Sequence, residues 1–151
     1  MKVSGELKKS VQCPKNCSIL NYHGHYSVPV NPVPLARVRF GKRQVWDCQR
    51  EIKRNTGIVI GSQHGDAPLF HGPLKVIMVF YFPVAKSLSL AKKKLLLGTP
   101  HYYKPDLSNL IKFIEDVGNE LLYHDDARIA LLEASKVYDE EPRTEFIVME
   151  L

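Results

Sequence analysis

The chain has 151 residues, enough for one domain with its own core, and its 44% hydrophobic and 25% charged content is that of an ordinary globular protein. The longest apolar run, VIMVFYFPVA from Val76, spans ten residues and contains Pro83, which excludes a bilayer-spanning helix there; the opening MKVSGELKKSVQCPKNC has no apolar stretch of the secretory kind; and three cysteines build no disulfide framework. A formal net charge of +5 and a pI near 9.1 point to an anionic partner, and the cysteine usage to a reducing intracellular compartment.

Residues 1–24 are polar, with Gly5, Pro14 and Gly24 and no clear period, and are expected to form a loosely ordered N-terminal segment before a single domain over 25–151. YSVPVNPVPLARVRF alternates apolar residues with three prolines. That pattern predicts an edge strand or a strand entering a loop, because proline cannot donate to a central ladder. In RQVWDCQREIKRN, Val45, Trp46, Gln49, Ile52 and Lys53 recur at helical spacing, which predicts a first helix over Arg43–Asn55 with Gly57 as its stop and Trp46 as a core anchor. GPLKVIMVFYFP predicts a buried strand, and VAKSLSLAKKKLLLGTPHYY a long basic excursion with a short helix around Leu88–Leu97.

Leu107, Leu110, Ile111, Ile114, Val117 and Leu121 follow a 3.6-residue period, with Ser108, Lys112, Glu115, Asp116 and Asn119 on the other side. Pro105 and Asp106 suit the first turn of this second helix. ARIALLEASKVY and RTEFIVMEL then read as two strands joined by DEEP, a hairpin. The order β-α-β-α-β-β predicts a small α/β or α+β fold, a mixed sheet packed with two main helices.

Charge is unevenly distributed. Arg37, Arg39, Lys42, Arg43, Arg50, Lys53 and Arg54 face only Asp47 and Glu51 in their stretch, and Lys86 to Lys94 adds four lysines and no acid. Asp106 to Asp126 runs the other way, with six carboxylates and one lysine. Basic zones around an acidic pocket fit a protein that holds phosphates and a divalent cation. Mg²⁺ takes hard oxygen ligands and usually one or two protein carboxylates, and Lys112, one turn from Ser108, could meet a phosphate oxygen. On spacing alone a solvated helix face is the simpler account. Cys13, Cys17, His23 and His25 offer four zinc-type ligands, but their spacing is tighter than in common fingers, so free thiols in a tail are expected instead.

KPDLSNLIKFIEDVGNELLYHDDARI followed by KVYDEEPRTEF resembles the signature of the RusA family of Holliday junction resolvases. KKKLLLGTPHYYKPD is similar to the family's lysine-rich loop and the histidine before its motif, and PVPLARVRFGKRQVW to its N-terminal segment. The resemblance covers roughly residues 28–151, with several motifs in the same order. It implies a single RusA-like domain acting as a homodimer that cuts four-way DNA junctions with Mg²⁺, Mn²⁺ being a possible substitute. It implies no membrane, no small-molecule cofactor, and a cytoplasmic, bacterial or phage-encoded setting. Asp106 stands at the family's first catalytic aspartate, Asp126 at its last, Lys112 at its lysine and Asn109 at its asparagine.

One position departs from the pattern: Ser108 stands where the family has its middle aspartate. Its hydroxyl could bind metal directly or through water, Asp116 or Asp125 could supply the missing charge, or the protein could be a weak or inactive branched-DNA-binding protein. Asp125 otherwise reads as a turn residue and Asp116 as a solvated residue or ion-pair partner. The resemblance makes Lys92, Lys93 and Lys94 DNA-backbone contacts, with Arg37, Arg39, Lys42, Arg43 and Lys104 as further candidates. His101 is either a phosphate contact or a hydrogen-bonded structural histidine. Tyr102 and Tyr103 are either stacking platforms for unpaired bases or structural tyrosines. A general basic nucleic-acid-binding protein is a further alternative.

Overall fold

Strict alternation in Leu74–Pro83 puts Leu74, Val76, Met78 and Phe80 on one fully buried face of a strand. The rest of the fold is arranged around it. The protein is seen here as a computed structural model, which describes residues 22–36, 39–40, 45–46 and 48–151, with the pairs 39–40 and 45–46 described by backbone alone. In chain order the elements are β1 (His23–Val28), β2 (Arg39–Phe40), β3 (Val45–Trp46), α1 (Arg50–His64), β4 (Leu74–Pro83), α2 (Leu90–Leu96), α3 (Leu107–Gly118), a one-turn 3₁₀ helix (Asp126–Arg128), β5 (Ile129–Asp139) and β6 (Arg143–Glu150).

The main sheet has the order β1-β6-β4-β5. It is mixed, with β4 parallel to β5 and antiparallel to β6, and β1 antiparallel to β6 at the edge. β2 and β3 form a separate two-stranded ladder. One face of the sheet carries the core. Tyr26 and Val28 from β1, the four β4 residues, and Phe146 and Val148 from β6 meet Ile60 of α1 and Leu110, Phe113, Ile114 and Val117 of α3. The fold class is therefore α+β, as the element order predicts.

Three expectations are corrected. The predicted Arg43–Asn55 helix lies further on, over Arg50–His64, while Val45–Trp46 pairs with Arg39–Phe40 in a ladder. Gly57 does not stop α1. Glycine costs a helix interior about 1 kcal/mol, but here Thr56 and Ile60 are buried, Gly57 faces Val117 of α3 and Gly61 faces Leu121 just beyond it. Tertiary packing outweighs the local penalty, and the helix runs to Gly65, which takes φ 61°.

β5 and β6 also do not pair with each other. β4 lies between them and offers each a ladder edge, so the predicted hairpin is replaced by a connection over residues 140–142. That connection crosses beside Pro83, in register with Asp139, where β4 ends and no further N–H is available to donate.

Finally, the buried stripe of α3 centres on Phe113 as well as the predicted leucines and isoleucines, and α3 ends at Gly118, before Leu121. The expected α2 is present over Leu90–Leu96 and buries none of its residues. β1 is an edge strand, as expected for the segment from Tyr26, but it starts at His23 and ends at Val28, before the three prolines. Residues 1–21, including Cys13 and Cys17, and the side chain of Trp46 lie outside the described residues. No helix among the described residues is long and apolar enough to cross a membrane.

Candidate active site on the third helix

The segment before α3 is held by the sheet. Gly98 N–H donates to the Tyr138 carbonyl, Tyr138 N–H to the Thr99 carbonyl and His101 N–H to the Lys136 carbonyl, so residues 98–101 pair with the outer edge of β5. Lys136 then reaches across. Its Nζ donates to the carbonyl oxygens of Tyr103 at 2.7 Å and Pro105 at 2.8 Å. Lys136 thereby fixes the backbone one residue ahead of Asp106, a role that nothing in the sequence motif announces.

Asp106 occupies the residue before the first turn of α3. Its carbonyl accepts from Asn109 N–H and Leu110 N–H, but its carboxylate makes no capping bond. Both carboxylate oxygens instead meet Lys104 Nζ, at 3.2 and 3.3 Å. Both side chains are exposed, so this contact contributes little to stability. Its significance is chemical: two hard oxygens at a helix N-terminus face a cation at the surface.

Ser108 and Lys112 are exposed one turn apart on the same face. Asn109 is half-buried, and its carbonyl accepts from Leu35 N–H at 2.7 Å. Gln49 holds the same proline-rich strap, donating to the Pro34 carbonyl and accepting from Ala36 N–H. The strap that leads into the basic N-terminal zone is thus docked against the start of α3.

The chain after α3 folds back along it. Tyr123 is buried, and its hydroxyl donates to the Glu115 carbonyl at 3.4 Å. Gly118 makes this possible, since a Cβ there would stand 2.5 Å from the tyrosine oxygen. Asp125 caps the 3₁₀ turn by accepting from Ala127 N–H at 2.7 Å, which makes it a turn residue. Asp126, half-buried, is the first residue of that turn.

Burial raises the Glu115 carboxyl above the usual carboxylate range, and the charges of Asp126 and Asp116 push it the same way while Lys112 opposes them. Asp126 is therefore brought close enough to α3 to share a field with Glu115, Asp116 and Lys112. This corrects the expectation that Glu115 is simply solvated helix surface. Its position three residues after Lys112 on the same stripe was the available signal. Asp116 pairs with Lys53 of α1 at 3.2 Å, one of its two expected roles.

The remaining candidates are dispersed. Lys92 and Lys94 are exposed on α2 and Lys93 is half-buried. Arg37, Lys42 and Arg43 lie outside the described residues, and Arg39 is described only by its place in β2. His101 is packed among rings, 4.3 Å from Phe82 and 4.8 Å from Tyr138. Its Nδ1 is buried and, among the described residues, has no hydrogen-bond partner. Burial and the Lys136 charge hold its pKa below the ordinary histidine value.

Among the described residues no three His, Cys, Asp or Glu side chains form a metal-holding group. A Mg²⁺ site does not need three, because the ion keeps several waters and takes one or two carboxylates plus substrate phosphate. The donor set of Asp106 and Asp126 fits that chemistry.

The fold and this arrangement on α3 can be set beside known proteins. The family model described as "Endodeoxyribonuclease RusA" matches residues 29–149. The chain belongs to the RusA family of endodeoxyribonucleases. It is 33% identical over 126 residues to the "Uncharacterized protein YqaN" of Bacillus subtilis (strain 168), covering 78% of this chain and 87% of that protein. It is 35% identical over 80 residues to the "Crossover junction endodeoxyribonuclease rusA" of Lactococcus phage r1t, covering 52% of this chain and 56% of that one.

Proposed function

We propose that this protein is a divalent-metal-dependent endodeoxyribonuclease that resolves four-way DNA junctions by paired cuts, acting as a homodimer in the cytoplasm. The observation that carries the reading is the Asp106 carboxylate, exposed at the N-terminus of α3 with a cation against both oxygens. Asp106 and Asp126 would hold Mg²⁺, which Mn²⁺ could replace. When bound, the ion activates a water and offsets charge developing on the phosphate.

The chain's own groups do the rest. Lys112 is exposed on α3, on the Ser108 face, and presents an ammonium to a phosphate oxygen of the scissile group. Lys104 exchanges its contact with Asp106 for a backbone phosphate when DNA arrives. Lys92, Lys93 and Lys94 hold the strand through phosphates, an attraction that falls steeply with salt. Two copies give two matched sites, as paired symmetric cuts require.

Ser108 weakens this site. Asp116 is engaged by Lys53 and Asp125 by the Ala127 N–H, so both have structural duties already. The exposed Ser108 hydroxyl is a neutral ligand in place of a charged one. The second reading, a junction-binding protein with little cleavage, rests on this residue.

A synthetic four-way junction incubated with Mg²⁺ or Mn²⁺ decides between them. Symmetric nicks support the nuclease. Tight binding without nicks under either metal supports the binding protein, and equal affinity for junction, duplex and single strand would leave only a general nucleic-acid binder. Ser108→Asp is expected to raise nicking or to lower the Mg²⁺ concentration needed; if neither changes, position 108 is outside the metal's reach.

Lys136 is a positioning residue in this scheme. Lys136→Met removes both bonds to the segment before Asp106 and is expected to lower kcat on the order of 10-fold, with the junction KM little changed. Amide exchange at residues 102–106 should quicken in parallel. An unchanged kcat with faster exchange would show that the segment's order does not matter to the reaction.

A further inference from the structure

Between α2, the end of β4, β5 and residues 101–103 lies a cavity of about 420 Å³. Its walls include Leu88, Leu96, His101, Tyr102, Tyr103 and Tyr138. Tyr102 and Tyr103 are 76% and 59% exposed. Their rings lie 4.4 Å apart at 31°, and their hydroxyls are hydrogen-bonded to each other at 3.0 Å. Two large rings are thus held against each other at the rim, both largely exposed. Inside, His101 is stacked on Phe82 at 18° and leans on Tyr138. The buried His101 Nδ1, without a hydrogen-bond partner among the described residues, adds a polar atom to this ring cluster.

The surroundings limit the occupant. The size is that of a small-molecule site, and the lining combines aliphatic side chains with the rings of His101, Tyr102, Tyr103 and Tyr138. The Leu96 wall belongs to α2, a short helix that also carries Lys92, Lys93 and Lys94. A flat ring system attached to a phosphate chain matches both features. The rim is also tied to Asp106: the Lys136 ammonium holds the carbonyls of Tyr103 and Pro105 together.

We propose that this cavity receives one nucleobase of the bound DNA, unstacked from its neighbours, against Tyr102 and Tyr103, while the lysines of α2 hold the adjoining phosphates. The proposal rests on the nuclease reading and adds to it a base-binding subsite. Taking a base out of the stack costs free energy. That cost is smallest where strands are already unpaired, so the cavity would favour branched over continuous duplex DNA.

The test compares affinities, measured without divalent metal, for four-way junctions carrying a single abasic nucleotide at successive positions near the crossover. A short single strand and its wholly abasic counterpart form a second pair of probes. Wild type is expected to lose about 10-fold in affinity at one junction position and on the abasic single strand. Leu88→Trp, which fills the cavity, and Tyr103→Ala, which removes an exposed ring, should bind intact DNA about 10-fold more weakly and no longer distinguish abasic DNA. Thermal melting of each variant checks that the fold is kept. A flat abasic scan in wild type, or an abasic penalty that survives in both variants, overturns the cavity's role. Nicking of the intact junction in Mg²⁺ by the same preparation reports the nuclease reading separately, so base dependence on single strands without nicking would retain the cavity and discard the resolvase.

Discussion

Asp106→Asn is expected to reduce junction nicking by at least about 100-fold, the scale on which loss of a charge-stabilising group at a reacting centre is felt. The substitution keeps the size of the side chain and removes its charge. Its effect on folding should be small. The carboxylate is exposed, makes no capping bond and, among the described residues, pairs with Lys104, itself at the surface. Such ion pairs contribute about 0–1 kcal/mol. Affinity for the junction in the absence of metal should hold or rise, because a negative charge is removed from a phosphate-binding surface. Loss of nicking with unchanged melting and undiminished binding would assign Asp106 to the reaction. Nicking within a few-fold of wild type would remove Asp106 from it and, with it, the metal site proposed here.

Phe113→Ala should be the most damaging single change to the fold. Phe113 is 2% exposed on the inner face of α3 and belongs to the cluster that joins both long helices to the sheet. Truncating a buried phenylalanine costs about 3–5 kcal/mol, a large share of the roughly 5–15 kcal/mol that holds a domain together. Urea unfolding should show the midpoint fall with little change in slope. A loss under about 1 kcal/mol would mean that the core closes over the space. Because α3 also carries Asp106, Ser108 and Lys112, this variant should lose activity in step with folded protein, whereas Asp106→Asn loses activity alone.

Much of the molecule was readable from local pattern. The ten-residue alternation of β4 and the 3.6-residue period of α3 each report which face is buried, and burial is where those elements take their stability. The basic excursion around α2 and the edge position of the proline-flanked β1 followed from composition and from the missing proline donor. The order of motifs from KPDLSN to the final strands placed the chain in its family, since several residue types at fixed spacings are unlikely together by chance.

Pairing and packing between distant segments were decided only in three dimensions. Gly57 reads as a stop, yet α1 passes through it because α3 lies against that face. β5 and β6 read as a hairpin, yet each gains more by pairing with the apolar centre of β4. Lys136 is an unremarkable strand lysine until the fold places two carbonyls within its reach. Glu115 reads as solvated surface until the fold half-buries it and sets the charge of Asp126 to act on it. A sequence records which faces want to be buried and which groups carry charge, because both are properties of single residues. Which buried face meets which, and which charge stands beside a given carbonyl, are properties of pairs far apart in the chain, and those depend on tertiary structure.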